Sequence, residues 1–406
     1  MGAREFLFWL MKFFAAFPYQ TSKTSDGRPR LSWKWVAYSI VKTILVISSS
    51  AAFLCLPLYR EPDNPVTRVT DRFWALFSVV FIIVHETYTL LRCYLLQTLF
   101  HKVQSLGLRK PNSNDRSSMK RILLGVGLWF GFAVGFQGLV SLEQSSSEEV
   151  SPAAFWTKMT CSFVWFSYET SGLVITVLFI ILTKDMRVHL SASVKELMKE
   201  EPKSREKCLL GRKKKMTRIR VTSPLGRTLH PEARTSTLAK RQMSITHKRI
   251  TDLERQILDA EKTISLMMDY FGFPLLLTNV MLTIGTTYML YFLIDSYLEE
   301  GQFNWVIFTM IPTMIFYIGL IPSEVDAFND TKRKDALSLQ RHISSDPYLR
   351  ESVSMHRILT MLNQRTDFSL LGFFNLGRSC LTTAAGFILT YLIIVLQFRG
   401  IKMASL

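Results

Sequence analysis

Seven stretches of this chain are long and apolar enough to cross a membrane as helices. They are Trp35–Leu58, Phe73–Leu96, Ile122–Leu142, Phe155–Leu182, Phe273–Leu293, Trp305–Ile321 and Leu376–Phe398. Spanning hydrocarbon by helix takes roughly 20 mostly apolar residues. A soluble chain of 406 residues would spread its apolar residues through short amphipathic runs; here they come in blocks. Lipid admits only helices and closed barrels, and the alternating pattern of a barrel is absent. The expected fold class is therefore all-α, a polytopic membrane protein with seven transmembrane helices.

Charge sets the expected orientation, because Lys and Arg collect in short cytoplasmic loops. The loop between the second and third spans holds Lys102, Arg109, Lys110, Arg116, Lys120 and Arg121. The next loop has no basic residue but contains Glu143, Glu148 and Glu149, and the one after the fifth span carries Glu299 and Glu300. The bias predicts a cytoplasmic N-terminus and, after seven spans, an extracellular C-terminus. It also accounts for the net charge of +17. Basic loops beside anionic lipid explain that charge, so no nucleic-acid partner is expected.

The N-terminal run MGAREFLFWLMKFF is interrupted by Lys12 and lacks a small-residue cleavage site. It reads as an interfacial amphipathic helix rather than a signal peptide. The sequon Asn329-Asp330-Thr331 falls on the expected inside, where it would not be glycosylated. None of the five cysteines lies in an expected outside loop, so no extracellular disulfide is expected.

These features predict the domain plan. Residues 1–34 form a cytoplasmic N-terminal segment and residues 35–182 the first four spans. Residues 183–271 are cytoplasmic helical extensions around a basic, Ser/Thr-rich disordered linker at about residues 203–243. Within them, Ile250, Leu253, Ile257, Ala260, Ile264 and Met267 recur every three or four residues, which predicts a helix running into the fifth span. Residues 272–324 hold spans five and six. Residues 325–375 supply further anchor helices, with Leu349, Val353, Leu359 and Leu362 as an apolar pattern over Pro347–Asn363. Residues 376–398 form the last span and residues 399–406 an extracellular tail.

Motifs for chemistry are sparse. His85-Glu86 begins a zinc-protease HExxH, but position 89 is Thr, so no metal is expected. No Walker A, GxSxG or CxxC pattern occurs. Neither an enzyme nor a cofactor is expected. Gly127, Gly131 and Gly135 form a GxxxGxxxG that suits close helix packing. Polar residues inside spans are the better functional pointers. His85, Glu86, Tyr168 and Glu169 lie near mid-span, and Thr286, Thr287, Tyr288 and Tyr291 lie in the second half of the fifth span. Gln302, Asn304 and Trp305 stand at the start of the sixth. Each aromatic alone suits an interface anchor. Together, Glu169, Thr286, Tyr288, Gln302 and Trp305 are candidates for a pocket that stacks and hydrogen-bonds a small polar ligand.

The last span reads TYLIIVLQF from Thr390 to Phe398. This resembles the TYhhhhhQF signature (h, hydrophobic) of insect gustatory receptors. Thr390, Tyr391, Gln397 and Phe398 fill its four fixed positions. The preceding DFSLLGFFNLGRSCLT and the N-terminal AAFPYQ are also similar to that family. The resemblance implies a ligand-gated, non-selective cation channel in the plasma membrane. It implies a homotetramer, or a heterotetramer with related receptors, opened by a small tastant. The last span would line the pore, with Gln397 and Phe398 at the gate, and the cytoplasmic helices would form an anchor bundle. The sweet-taste subgroup usually has Glu after the TY pair; Leu392 stands there instead, which leaves a fructose-type, bitter-type or orphan receptor. The alternative is a G-protein-coupled receptor, but DRY and NPxxY motifs are absent. A secondary transporter lacks support, since no paired halves with broken spans are evident.

Overall fold

The structure is a computed structural model. It describes residues 19–21, 29–55, 65–106, 172–198, 232–300, 303, 305–345, 347–350, 352–372 and 374–403. The described residues are almost entirely helical. In order they form β1 (Tyr19–Thr21), β2 (Pro29–Leu31), α1 (Trp33–Cys55), α2 (Pro65–Leu91), α3 (Cys93–Ser105) and α4 (172–198). Then follow α5 (Glu232–Glu300), α6 (Trp305–Ser345), α7 (Pro347–Arg350), α8 (Val353–Asn363), β3 (Ser369–Leu370), β4 (Phe374–Asn375) and α9 (Arg378–Met403). β1 pairs antiparallel with β2, and β3 with β4, each as a two-stranded ribbon. The protein is thus an all-α membrane protein. The N-terminal helix, the span Ile122–Leu142 with its glycine motif, and positions 155–171 of the fourth span lie outside the described residues.

Three described helices contain segments long and apolar enough to cross a membrane, within His247–Leu298, Met310–Ser345 and Arg378–Gln397. Leu76–Leu91 and Cys93–Val103 together make a fourth if their 52° bend counts as one broken span. The bend falls within the second span expected over Phe73–Leu96. The chain tightens at Arg92, where Leu95 N–H bonds to the Arg92 carbonyl at 3.0 Å in place of the i→i−4 pattern. The Arg92 guanidinium lies 5.6 Å from the Tyr88 ring centroid, an arrangement that keeps the charge at the exposed end of the apolar run.

α5 has 69 residues, about 100 Å of helix, so only part of it can lie in hydrocarbon. It starts at Glu232, directly after Pro231, which is a poor residue through which to extend a helix backwards. The expected linker over residues 203–243 therefore gives way to helix from Glu232 onward. Pro274 sits inside α5, where it removes one ladder hydrogen bond. The Thr278 hydroxyl donates to the Pro274 carbonyl at 2.8 Å. α6 likewise continues well past Ile321 without a break.

The chain divides into two compact units. The first comprises Met1–Thr183, Ile264–Asp326 and Asp367–Leu406. Val46 of α1, Phe81 and Ile82 of α2, and Leu277 and Met281 of α5 form one of its buried apolar clusters. Elsewhere in this unit Phe179 meets Phe271 and Phe368 edge-on, at centroid distances of 5.9 and 6.1 Å.

The second unit comprises Lys184–Thr263 and Ala327–Thr366. Ile250, Leu253, Ile257 and Ala260 of the recurring α5 stripe are buried in this unit; Ile264 and Met267, the last two, are buried in the first. At 3.6 residues per turn their spacing keeps one face of α5 turned inward. Val353 departs from expectation and is 83% exposed, whereas Met355, Ile358 and Leu362 are buried. Ser352 caps α8 by accepting from the Met355 amide, and this fresh start resets the helical phase that a continuous Pro347–Asn363 helix would have had.

Candidate functional site

α9 is the most apolar of the candidate spans, and very little of it is buried. Its two faces differ. Leu381, Ala384, Ile388, Tyr391 and Leu392 are half-buried and Val395 is buried, spaced so that they share one side. Ser379, Thr383, Gly386, Thr390, Ile393 and Gln397 recur at intervals of four and three on the opposite side, and all are exposed. That exposed stripe holds small and polar residues in an otherwise aliphatic helix. The Thr383 hydroxyl donates to the Ser379 carbonyl at 3.0 Å, one turn back. Such back-bonding satisfies a hydroxyl when its surroundings are dry and leaves its oxygen free to accept when they are wet.

Among the motif residues, Thr390 and Gln397 lie on this exposed stripe, while Tyr391 lies on the half-buried face. The Tyr391 ring stacks on Phe387 at 6.2 Å with an interplanar angle of 8°. The backbone at Phe398 continues the helix; its side chain lies outside the described residues.

Three of the five candidate ligand residues, Thr286, Tyr288 and Trp305, are among the described residues. Glu169 and Gln302 lie outside the described residues. Thr286 is fully buried, and its hydroxyl donates to the Leu282 carbonyl at 2.6 Å. Tyr288 is two residues on, about 200° around the helix, and stacks on Phe292 at 6.3 Å. Trp305 opens α6 and is 69% exposed, with its ring edge-on to Phe303 at 4.8 Å. Two residues of spacing cannot place Thr286 and Tyr288 on one helix face. A groove of about 190 Å³ in the second unit is lined by Glu196, Arg249, Asp252 and Gln256 among others, and none of the described candidates, Thr286, Tyr288 or Trp305, borders it.

One polar site emerges that sequence reasoning saw by halves. Lys42 of α1 donates to Glu86 Oε1 of α2 at 2.8 Å, with side-chain exposures of 12% and 7%. His85 is fully buried beside Glu86, and Ser39 and Ser78 are buried on the same two helices. His85 and Glu86 stood out in the sequence. The missing signal was Lys42, the one charged residue in Trp35–Leu58. An isolated charge at that depth requires a partner, and the adjacent span supplies it. Asp295 is a second buried acid, in α5, that the sequence reading passed over.

The fold is shared with solved insect receptors. Olfactory receptor OR5 from Machilis hrabei in complex with eugenol matches with a TM-score of 0.63 and 13% identity, over 97% of both chains. OR5 from the same insect, in a second structure, matches with a TM-score of 0.59 and 14% identity, again over 97% of both chains. Curated protein sequences give no match. The family model described as 7tm chemosensory receptor matches residues 5–399, nearly the whole length, and the chain belongs to that family of multi-pass membrane receptors.

Proposed function

We propose that the protein is a gustatory receptor that acts as a ligand-gated, non-selective cation channel in the plasma membrane. The observation that carries this reading is the uncovered polar stripe of α9. Ser379, Thr383, Gly386, Thr390 and Gln397 align on one side of α9 that stands exposed among the described residues, and the Gln397 amide on it is costly to set against acyl chains. Symmetry-related copies of α9 around a central axis would give the stripe a water-filled pore to line. A homotetramer, or a heterotetramer with related receptors, meets that need. Gln397 would then solvate passing cations, with Phe398 as the apolar ring that closes the pore.

The basic loops support a cytoplasmic N-terminus, an extracellular C-terminus, and a cytoplasmic anchor built from residues 183–271 and 325–375. The ligand is a small tastant, a sugar, bitter compound or other small polar molecule. That solved OR5 holds eugenol supports a ligand of this size. Membership of the chemosensory receptor family gives the G-protein-coupled alternative no support. The test is planar-bilayer recording from the purified receptor with no other protein present, during a screen of tastants. We expect agonist-evoked cation current without added nucleotide. A receptor that binds an agonist yet passes no current would refute the channel reading.

A further inference from the structure

The chain between α8 and α9 is held at one residue. The Thr366 amide donates to Asn329 Oδ1 at 3.0 Å, and Asn329 Nδ2 donates to the Thr366 carbonyl at 3.3 Å. The Asn329 side chain thus fills the place of a neighbouring strand. Lys332, one turn further along α6, donates to Thr366 Oγ1 at 2.8 Å and reaches Glu261 Oε1 at 3.5 Å. Amide, carbonyl and hydroxyl of Thr366 are therefore all engaged by α6, within the second unit. Asn329 is also the sequon asparagine, here committed to this contact.

Lys332 is only 4% exposed and lies beyond the apolar stretch Trp305–Ile321. Desolvation lowers its pKa below the usual lysine value, with Glu261 pulling in the opposite direction. Burying an ammonium is costly, and an apolar residue would fill the same space more cheaply. Glu261, at 3.5 Å and 38% exposed, is the weaker of its two partners. The short contact is the one to Thr366.

We propose that Asn329, Lys332 and Thr366 form a clasp that positions the segment leading into α9 and thereby sets the gating equilibrium. This rests on the channel reading above. Only residues 367–377 separate Thr366 from α9, and the described ones are packed. Phe368, Leu370 and Leu376 are buried, and the Leu376 amide donates to the Phe368 carbonyl at 2.8 Å. Arg378, the first residue of α9, reaches Asp326 at 3.3 Å. On this proposal a shift of Thr366 is carried along the connecting chain to the first turn of α9. These three are positioning residues: their proposed role is to hold the segment, not to contact a ligand or an ion.

The test compares Thr366→Val, Lys332→Met and Thr366→Ser, with currents normalised to surface receptor. Thr366→Val keeps the shape and removes the hydroxyl, whereas Thr366→Ser retains it. We expect Val and Met each to shift the half-maximal agonist concentration by roughly fivefold, the worth of one hydrogen bond. Their double variant should shift no further, and unitary conductance and ion selectivity should stay at wild-type values. Thr366→Ser should match wild type. Hydrogen exchange of the 366–377 amides in purified receptor should quicken in Val and Met alone. Wild-type dose–response curves in both, or an equal shift in Ser, would overturn the gating role. Unchanged exchange would overturn the clasp itself. If wild type carried no current, the channel reading and the gating role would fall together, and exchange would still decide whether the clasp holds the segment.

Discussion

Lys42 and Glu86 form a 2.8 Å ion pair between the first two membrane helices, nearly shut off from solvent. Removing one partner of a buried pair leaves a bare charge and costs about 3–5 kcal/mol, whereas replacing both with apolar residues is close to neutral. Lys42→Met alone should therefore lower the melting temperature in detergent and reduce surface receptor. Adding Glu86→Leu should recover most of both. A double variant as impaired as the single would show that the pair acts through something other than its charges.

Trp305 tests the ligand pocket. It opens α6 with a largely exposed ring that Phe303 and Phe308 flank among the described residues. If this face takes part in binding, Trp305→Ala should raise the half-maximal agonist concentration about tenfold or more, as loss of an aromatic anchor does. Surface receptor should stay near normal. An unchanged dose–response curve would remove Trp305 from the site.

Gln397 and Phe398 test the gate. If Gln397 lines a pore, Gln397→Glu adds one negative charge per subunit around it and should change ion selectivity, for example calcium relative to sodium. If Phe398 forms the ring that closes the pore, Phe398→Ala should increase current without ligand. Wild-type selectivity and basal current in both, with receptor at the surface, would assign the two residues to the membrane interface instead.

Orientation has its own check. A tag after Leu406 should stain on intact cells. Staining only after permeabilisation would reverse the reading of the loop charges.

Much of this architecture could be read from spacing alone. Ile250 to Met267 repeat at helical period, and all six are buried, because a long helix with one inward face has no other way to place them. Features set by one residue's partner were harder to see. Nothing in the run through Leu91 announces a 52° bend at Arg92; the cause is a local change of hydrogen-bond pattern with a charge leaving the apolar path. The apolar period marks Val353 as core, but the Ser352 cap moves the phase and leaves it outside. Glu86 was visible as an acid in a span, yet its meaning depended on Lys42, 44 residues earlier. The pocket was the least legible part. Thr286 and Tyr288 are suitable chemically, but two residues on a helix point to different faces, and composition carries no such angle. The α9 stripe was hidden for another reason. Serine, threonine and glycine are ordinary in membrane helices, and their alignment with Gln397 becomes evident only once the opposite face is seen to be covered.

The central claim is that the exposed stripe of α9 faces water in an open pore. Cysteine scanning with a charged, water-soluble thiol reagent tests it most directly. Cysteines at Thr383, Gly386, Thr390 and Gln397 should react during agonist application and block the current. Cysteines at Leu381, Ile388 and Val395, on the opposite face, should react slowly or not at all. Equal reactivity on both faces, or block from the Leu381–Val395 face alone, would contradict a pore lined by this stripe.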